Sequence, residues 1–297
     1  MNLKNYSGTL SGSMKKGRLL FTGGGGFLGR QLIPLLREEG WEVVRPRSNQ
    51  VRLDFEDEVN TLFDGPSSTH RYDAIIHAAI VGGRRDHDDP KSNFMTNMRM
   101  FENVFRHANN CKVFINFDSG ATLGRPSINE HAQISDLGKI IPADPYGFSK
   151  YCIAQRVLNH RKGKNLRIWG CFGPQEQPDR FFATNINNYI ERKPIKIIKD
   201  RKMDFIYVDD LYKIVSYMLQ MGEDSWLKDI NCVYQQKYML SDIAGMINNL
   251  DTYKVDVEKE GQYPEHSYCG EATSLPLDYV GMERGIKDCY DHFLQCK

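Results

Sequence analysis

The stretch "LLFTGGGGFLGRQL", residues 19–32, constrains this chain more than any other. A short apolar run is followed by glycines at 23, 26 and 29 and then by an amphipathic run. Glycines between a strand and a helix supply a turn of positive φ, close approach of the backbone to a ligand, and close helix packing. The helix N-terminus then aims its free N–H groups at a pyrophosphate. A flexible glycine-rich hairpin is the alternative, and it leaves the apolar helix unexplained. Gly23, Gly26, Phe27, Leu28 and Gly29 are therefore expected to bind a dinucleotide where a βαβ unit opens.

The second apolar run ends in "VVRPRSNQ". An acidic residue there would meet the ribose hydroxyls of NAD, whereas Arg45, Arg47 and Ser48 offer cations and a hydroxyl to a 2′-phosphate. NADP (NADPH) is the expected cofactor, ahead of NAD; a solvated basic turn is the alternative. Asp54, in "VRLDFED", falls where a third strand or its loop could meet the adenine.

The alternation continues through "YDAIIHAA", "SNFMTNMRMFENVFRHANN", "KVFINFDS", "YGFSKYCIAQRVLNHRKG" and "LRIWGCFGP", read as strand, helix, strand, helix and strand. This rhythm predicts an α/β fold: a Rossmann-type doubly wound parallel sheet with ligands at the carboxyl ends of the strands. After "CFGP" the rhythm breaks into a loop and helix, then a short strand and helix in "DFIYVDDLYKIVSYMLQ", then short mixed elements with helices near 240–249 and 281–294. The expected division is a lead-in over 1–16 and a cofactor domain over 17–173, to which the chain returns near 204–220. A smaller C-terminal α/β substrate-binding domain is expected from 174–203 and 221–297.

A net charge of +1 with dispersed basic residues gives no electrostatic case for nucleic acid or a membrane surface. No apolar run reaches the length of a membrane span, and the polar start lacks the apolar core of a signal peptide. Seven cysteines without short paired spacings fit reduced thiols, so a cytoplasmic protein without a metal site is expected.

In "DPYGFSKYCIAQ", Tyr146 and Lys150 stand four residues apart, on one face of a helical turn. A lysine there can lower a phenol's pKa and make it a proton donor near neutral pH. A surface tyrosine beside a solvated lysine is the alternative.

With the glycine turn, "HAA" at 77–79, Tyr-x-x-x-Lys and "DFIYVDD" at 204–210 in this order, the chain resembles the extended short-chain dehydrogenase/reductase (NAD-dependent epimerase/dehydratase) family. Within it, "VVRPRS", "HAAIVGG" followed by "DDPKSNFMTN", and the "FGP" turn resemble GDP-L-fucose synthases and related nucleotide-sugar 4-keto reductases. The resemblance implies that Tyr146 protonates a sugar keto oxygen while Lys150 holds the ribose hydroxyls. It also implies that Ser119, at the end of the fifth strand, polarises the same carbonyl, although a turn serine is the plainer reading of that residue alone. Ala78, Ala79 and Asn97 are implied to shape the cofactor site, and Arg180 and Arg201 to face a nucleotide-diphosphate sugar. Members often pair through two long helices, which makes a homodimer through "SNFMTNMRMFENVFRH" and "YGFSKYCIAQRVL" the expected assembly. His77 is read as a packed strand-end histidine.

The family's epimerising cysteine and histidine have no counterpart: Ala121 stands at the first position and "QEQPDRFFATN" contains no histidine. The Asp-Glu pair of the dehydratases is replaced by Gly120 and Ala121. Keto reduction remains the favoured reading. A 4-epimerase, a fucose synthase with displaced epimerisation residues, and a non-catalytic NADP sensor stand beside it.

Overall fold

The structure, a computed structural model, describes residues 16–65, 71–84, 88–124, 131–222, 226–261 and 266–297. All but the last residue of the 1–16 lead-in lie outside them. The first half runs β1 (Gly17–Thr22), α1 (Phe27–Glu38), β2 (Trp41–Val44), α2 (Glu56–Asn60), β3 (Ala74–His77), α3 (Ser92–Phe105), β4 (Val113–Ser119), α4 (Pro145–Leu158) and β5 (Gly163–Ile168). There follow β6 (Cys171–Phe172), α5 (Phe181–Ile190), β7 (Ile195–Ile197), β8 (Ile206–Tyr207), α6 (Val208–Met221), β9 (Asp229–Cys232), α7 (Leu240–Asn248), β10 (Val257–Lys259) and α8 (Met282–Gln295).

Six strands form a parallel sheet in the order β2-β1-β3-β4-β5-β9. A parallel sheet is covered on both faces, so its strands are apolar on both; every residue of β3 and β4 is buried. In β1, Leu19 and Phe21 pack with Leu32 and Leu36 of α1 and Leu211 and Ile214 of α6, while Leu20 points to the other face, among Phe101 and Val104 of α3 and Ile153 of α4. The chain leaves β1 for β2 on one side and enters β3 on the other. That reversal opens a crevice at the carboxyl ends of β1 and β3.

Three sequence expectations change. No third strand forms near Asp54: Gln50 and Val51 turn back to donate to the Arg47 carbonyl at 2.8 and 2.9 Å, and the sheet ends at β2. Ser119 therefore closes the fourth strand, not the fifth. The single strand expected over "LRIWGCFGP" is broken after Ile168. There the Trp169 indole donates to Asn231 at 3.2 Å and the Gly170 carbonyl accepts from Ile206 N–H at 3.0 Å, which diverts the chain into a separate β6–β8 ladder. The sixth sheet strand, β9, comes from a stretch placed by sequence in the smaller domain; beside β5 it buries all four of its residues. Of the remaining elements, α5 and α7 pack against β7 of the β7–β10 ladder, and α8 packs against α5, α7 and β8.

Candidate active site

Gly23 adopts φ +70° at the end of β1, and a Cβ there would lie 2.6 Å from the backbone of Ala78 and Ala79. Gly29 presses α1 against the loop so closely that its Cβ would meet Gly24 Cα at 2.4 Å. Both positions require glycine, one for conformation and one for contact. Gly26 precedes α1 with no side-chain cap, so the first turn of the helix has no side chain competing for its N–H groups.

A cleft of about 840 Å³ runs from this loop across the sheet end. Towards β2 it is lined by Arg45, Arg47, Ser48 and Asp54, in the middle by Gly23–Gly29 with Ala78 and Ala79, and towards β5 by Ser119, Tyr146 and Lys150. Arg45 Nη1 donates to the Gly24 carbonyl at 3.3 Å, strapping the loop, while Arg47 and Ser48 are exposed. The Asp54 carboxylate accepts from Arg52 at 3.3 Å. The bare loop, the uncapped helix start and the exposed cation beyond it fit an extended dinucleotide carrying a further phosphate.

Sequence reading missed Val51, Leu53 and Met100 as walls of this cleft, and Asp118 and Ile168 at its far end. Met100 lies three residues after Asn97 on α3, a helical spacing that could have exposed it. Val51 and Leu53 carry no such signal, because the irregular turn before them sets where they point.

Asp144 caps α4 by accepting from Gly147 N–H at 2.8 Å, and Pro145 starts the helix, so Tyr146 falls in its first turn. Lys150, one turn on, is buried and donates to the Phe117 carbonyl at 2.5 Å. Its ammonium lies 6.0 Å from the centre of the Tyr146 ring. Burial draws the Lys150 pKa down to about 8, with Asp118 opposing. Ser119 accepts from Ala121 N–H at 3.2 Å, as a turn serine would. That bond uses a lone pair and leaves the hydroxyl proton for a ligand in the cleft.

The remaining candidates separate. Asn97 is wholly buried and lies behind the cleft wall, bonded to Val81 N–H and C=O and to Ser149 Oγ. His77 is packed against Phe101 and Phe114 and shares a hydrogen bond with Thr22; burial lowers its pKa to about 3, which leaves it neutral. Arg180 precedes α5 at the surface, and the Arg201 carbonyl accepts from Leu240 N–H in the smaller part; neither lines the cleft. Ala121 is buried and carries no proton to exchange. Burial first, and Glu176 beside it, push the Cys171 thiol well up, so it stays protonated. Among the described residues no group of acidic, histidine and cysteine side chains is arranged to hold a metal ion, and no helix is long and apolar enough to cross a membrane.

Residues 19–232 match the profile of the NAD dependent epimerase/dehydratase family. The chain belongs to this family. It is 24% identical to an ADP-L-glycero-D-manno-heptose-6-epimerase of Fusobacterium nucleatum, over 93% of this chain and 98% of that protein. Its fold is similar to that of a GDP-mannoheptose C4 reductase from Campylobacter jejuni with NADP bound (TM-score 0.79, 16% identity, 95% of this chain and 100% of that one). It is also similar to a GDP-L-fucose synthetase from Naegleria fowleri bound to NADP (TM-score 0.74, 17% identity, 99% and 98%).

Proposed function

We propose that this protein reduces the 4-keto group of a nucleotide-linked 4-keto-6-deoxy sugar with NADPH, a GDP-linked sugar being favoured. The observation that carries this reading is the gathering of Ser119, Tyr146 and Lys150 at one end of the cleft whose middle is the glycine loop. Bound NADPH supplies a hydride to the carbonyl carbon. Tyr146 gives its proton to the keto oxygen, and the Ser119 hydroxyl donates to that same oxygen. Lys150 donates to the ribose hydroxyls and places a positive charge behind the phenol. Arg47 and Ser48 receive the 2′-phosphate, and the strap from Arg45 to Gly24 holds the loop against the pyrophosphate. The GDP-mannoheptose C4 reductase and the GDP-L-fucose synthetase among the structural neighbours, both with NADP bound, support the choice of cofactor and nucleotide.

Arg180 and Arg201 are retained as contacts to the nucleotide-sugar diphosphate from the smaller domain. The protein is expected to pair through α3 and α4, whose surface exposes Met95. A second reading, a nucleotide-sugar epimerase, is favoured by the heptose-6-epimerase relative. A 4-epimerase, which oxidises and re-reduces its sugar on a retained nicotinamide and usually takes NAD, is weakened by Arg45 and Arg47 at the β2 end of the cleft. A fucose-synthase-type epimerisation is weakened by buried Ala121 in the place of a proton-exchanging residue.

The test is the loss of NADPH absorbance with GDP-4-keto-6-deoxymannose, with NADH and a dTDP-linked 4-keto sugar in parallel. Rapid NADPH oxidation supports the reductase. No turnover, together with a nicotinamide cofactor that stays bound through purification, would replace it with the epimerase. A Tyr146→Phe variant that keeps full biological activity would point instead to a non-catalytic sensor.

A further inference from the structure

The loop leaving β3 grips Tyr146 from two sides. Gly83, at φ +88°, lies flat against the phenol: a Cβ there would fall 2.5 Å from Tyr146 Cε2 and 2.7 Å from Cζ. A ring held by a short, capped helix turn cannot yield to such a contact as the end of a flexible chain could. Gly83 itself is fixed, because its N–H donates to Asp89 Oδ2 at 2.9 Å and the other Asp89 oxygen accepts from Asn93 at 3.2 Å. Two residues earlier, Val81 N–H donates to Asn97 Oδ1 at 2.9 Å. Asn97 donates to Ser149 Oγ at 3.1 Å, and Ser149 donates to the Tyr146 carbonyl at 2.7 Å. One loop thus touches the ring directly and, through two buried side chains, the backbone that carries it.

We propose that Gly83, tethered by Asp89, is a positioning residue for Tyr146: its bare backbone sets the angle at which the phenol enters the cleft. The contact requires both the missing side chain and the left-handed backbone, so Gly83 is needed twice at one position. Gly281, at φ +87° ahead of α8, separates the two requirements. A Cβ on Gly281 would meet nothing within 4 Å, so that position carries the backbone penalty without touching the phenol or its Asp89 tether. In its consequence for turnover the proposal rests on the reductase reading; in its consequence for the ring it does not.

The experiment labels the whole protein with 3-fluorotyrosine and follows the fluorine resonance that Tyr146→Phe removes. In Gly83→Ala that resonance is expected to shift or split, whereas in Gly281→Ala, with a comparable backbone penalty, it stays in place. Asp89→Ala, which removes the tether without adding bulk, is expected to broaden or move the resonance, and Asp89→Asn, which keeps an acceptor oxygen, to restore it. With a 4-keto sugar and NADPH, Gly83→Ala is expected to lower kcat about 10²-fold at nearly unchanged NADPH affinity, as displacement of a reacting group by about 1 Å does. A resonance unmoved in Gly83→Ala, or moved equally in Gly281→Ala, overturns the proposal, and Asp89→Ala decides it if Gly83→Ala does not fold. If the wild-type protein turns over no keto sugar, the reductase reading fails while the fluorine spectra still decide the role of Gly83.

Discussion

Lys150 is buried one helical turn beyond Tyr146, with its ammonium 6.0 Å from the centre of the phenol ring. Burial of that charge brings the Lys150 pKa to about 8. In the proposed role the charged form binds the cofactor ribose, so NADPH affinity is expected to fall as the pH rises through about 8. Stability moves the other way. The unfolded lysine keeps its proton to about 10.5, so between about 8 and 10.5 the unfolded chain binds more protons, and this group's contribution to stability rises with pH. Below that window both states are protonated and the contribution is flat. Fluorescence titrations of NADPH on either side of pH 8 in wild type and Lys150→Met check this. A pH-dependent loss of affinity that persists in Lys150→Met would remove the assignment.

Arg45 and Arg47 separate in the same assay. Arg47 is exposed at the β2 end of the cleft, and losing one charged hydrogen bond to a phosphate is worth roughly 1.5–3 kcal/mol, or about 10- to 150-fold. Arg47→Ala is expected to weaken NADPH by that factor and leave NADH nearly untouched. Arg45 instead lies on the loop, its Nη1 3.3 Å from the Gly24 carbonyl. Arg45→Ala is expected to weaken both cofactors. Equal loss of NADH affinity in the two variants would show that neither residue reads the 2′-phosphate.

Arg167 is wholly buried between two carboxylates, with Nε 2.9 Å from Asp118 and Nη2 2.8 Å from Asp229. Asp118 also accepts from Thr122 Oγ1 at 2.6 Å, which ties the turn after Ser119 to this ion cluster. Arg167→Met leaves two buried carboxylates without their cation, and a loss of about 3–5 kcal/mol is expected. Asp229→Asn in the same chain should recover part of it by removing one charge. Urea unfolding measures both; a loss below about 1 kcal/mol, the range of an ordinary surface change, would mean the cluster is hydrated in solution.

What the sequence made legible follows from how local the cause is. Gly23, Gly29, Tyr146 and Lys150 act through contacts set by a strand–turn–helix or by a single helical turn, and spacing along the chain encodes those distances. Asp54 was expected on a third strand or its loop; it lies on a loop that lines the cleft, its carboxylate accepting from Arg52, because the backbone turns back at Arg47. β9 was placed in the smaller domain and not in the sheet for a similar reason: its pairing with β5 spans more than sixty residues, and nothing within "DINC" announces it. Gly83 belongs to the same class. Its sequence signal is an ordinary Gly-Gly loop, and its purpose is visible only when Tyr146, from another element, is laid against it.

Glu176 lies in the loop between β6 and α5, where its carboxyl accepts from Ala183 N–H at 3.3 Å. Burial pushes its pKa up to about 8, with Arg180 and the Ala183 N–H only partly opposing. The folded chain therefore holds this proton to about pH 8, whereas the unfolded chain releases it near 4.5. Across that window the folded state binds more protons, so this group's contribution to stability is full at the acid end and is lost as the pH rises towards 8. Glu176→Gln keeps an oxygen for the Ala183 N–H and cannot ionise. Its thermal midpoint is expected to match wild type below about pH 4, where the carboxyl is neutral in the folded and the unfolded chain alike, and to exceed it increasingly as the pH rises to 8 and above, where wild type must bury a charge or break the contact. Calorimetric scans across this range read the difference directly. Two curves that stay parallel would mean that the carboxyl reaches water in the folded state and that its proton is not held by burial.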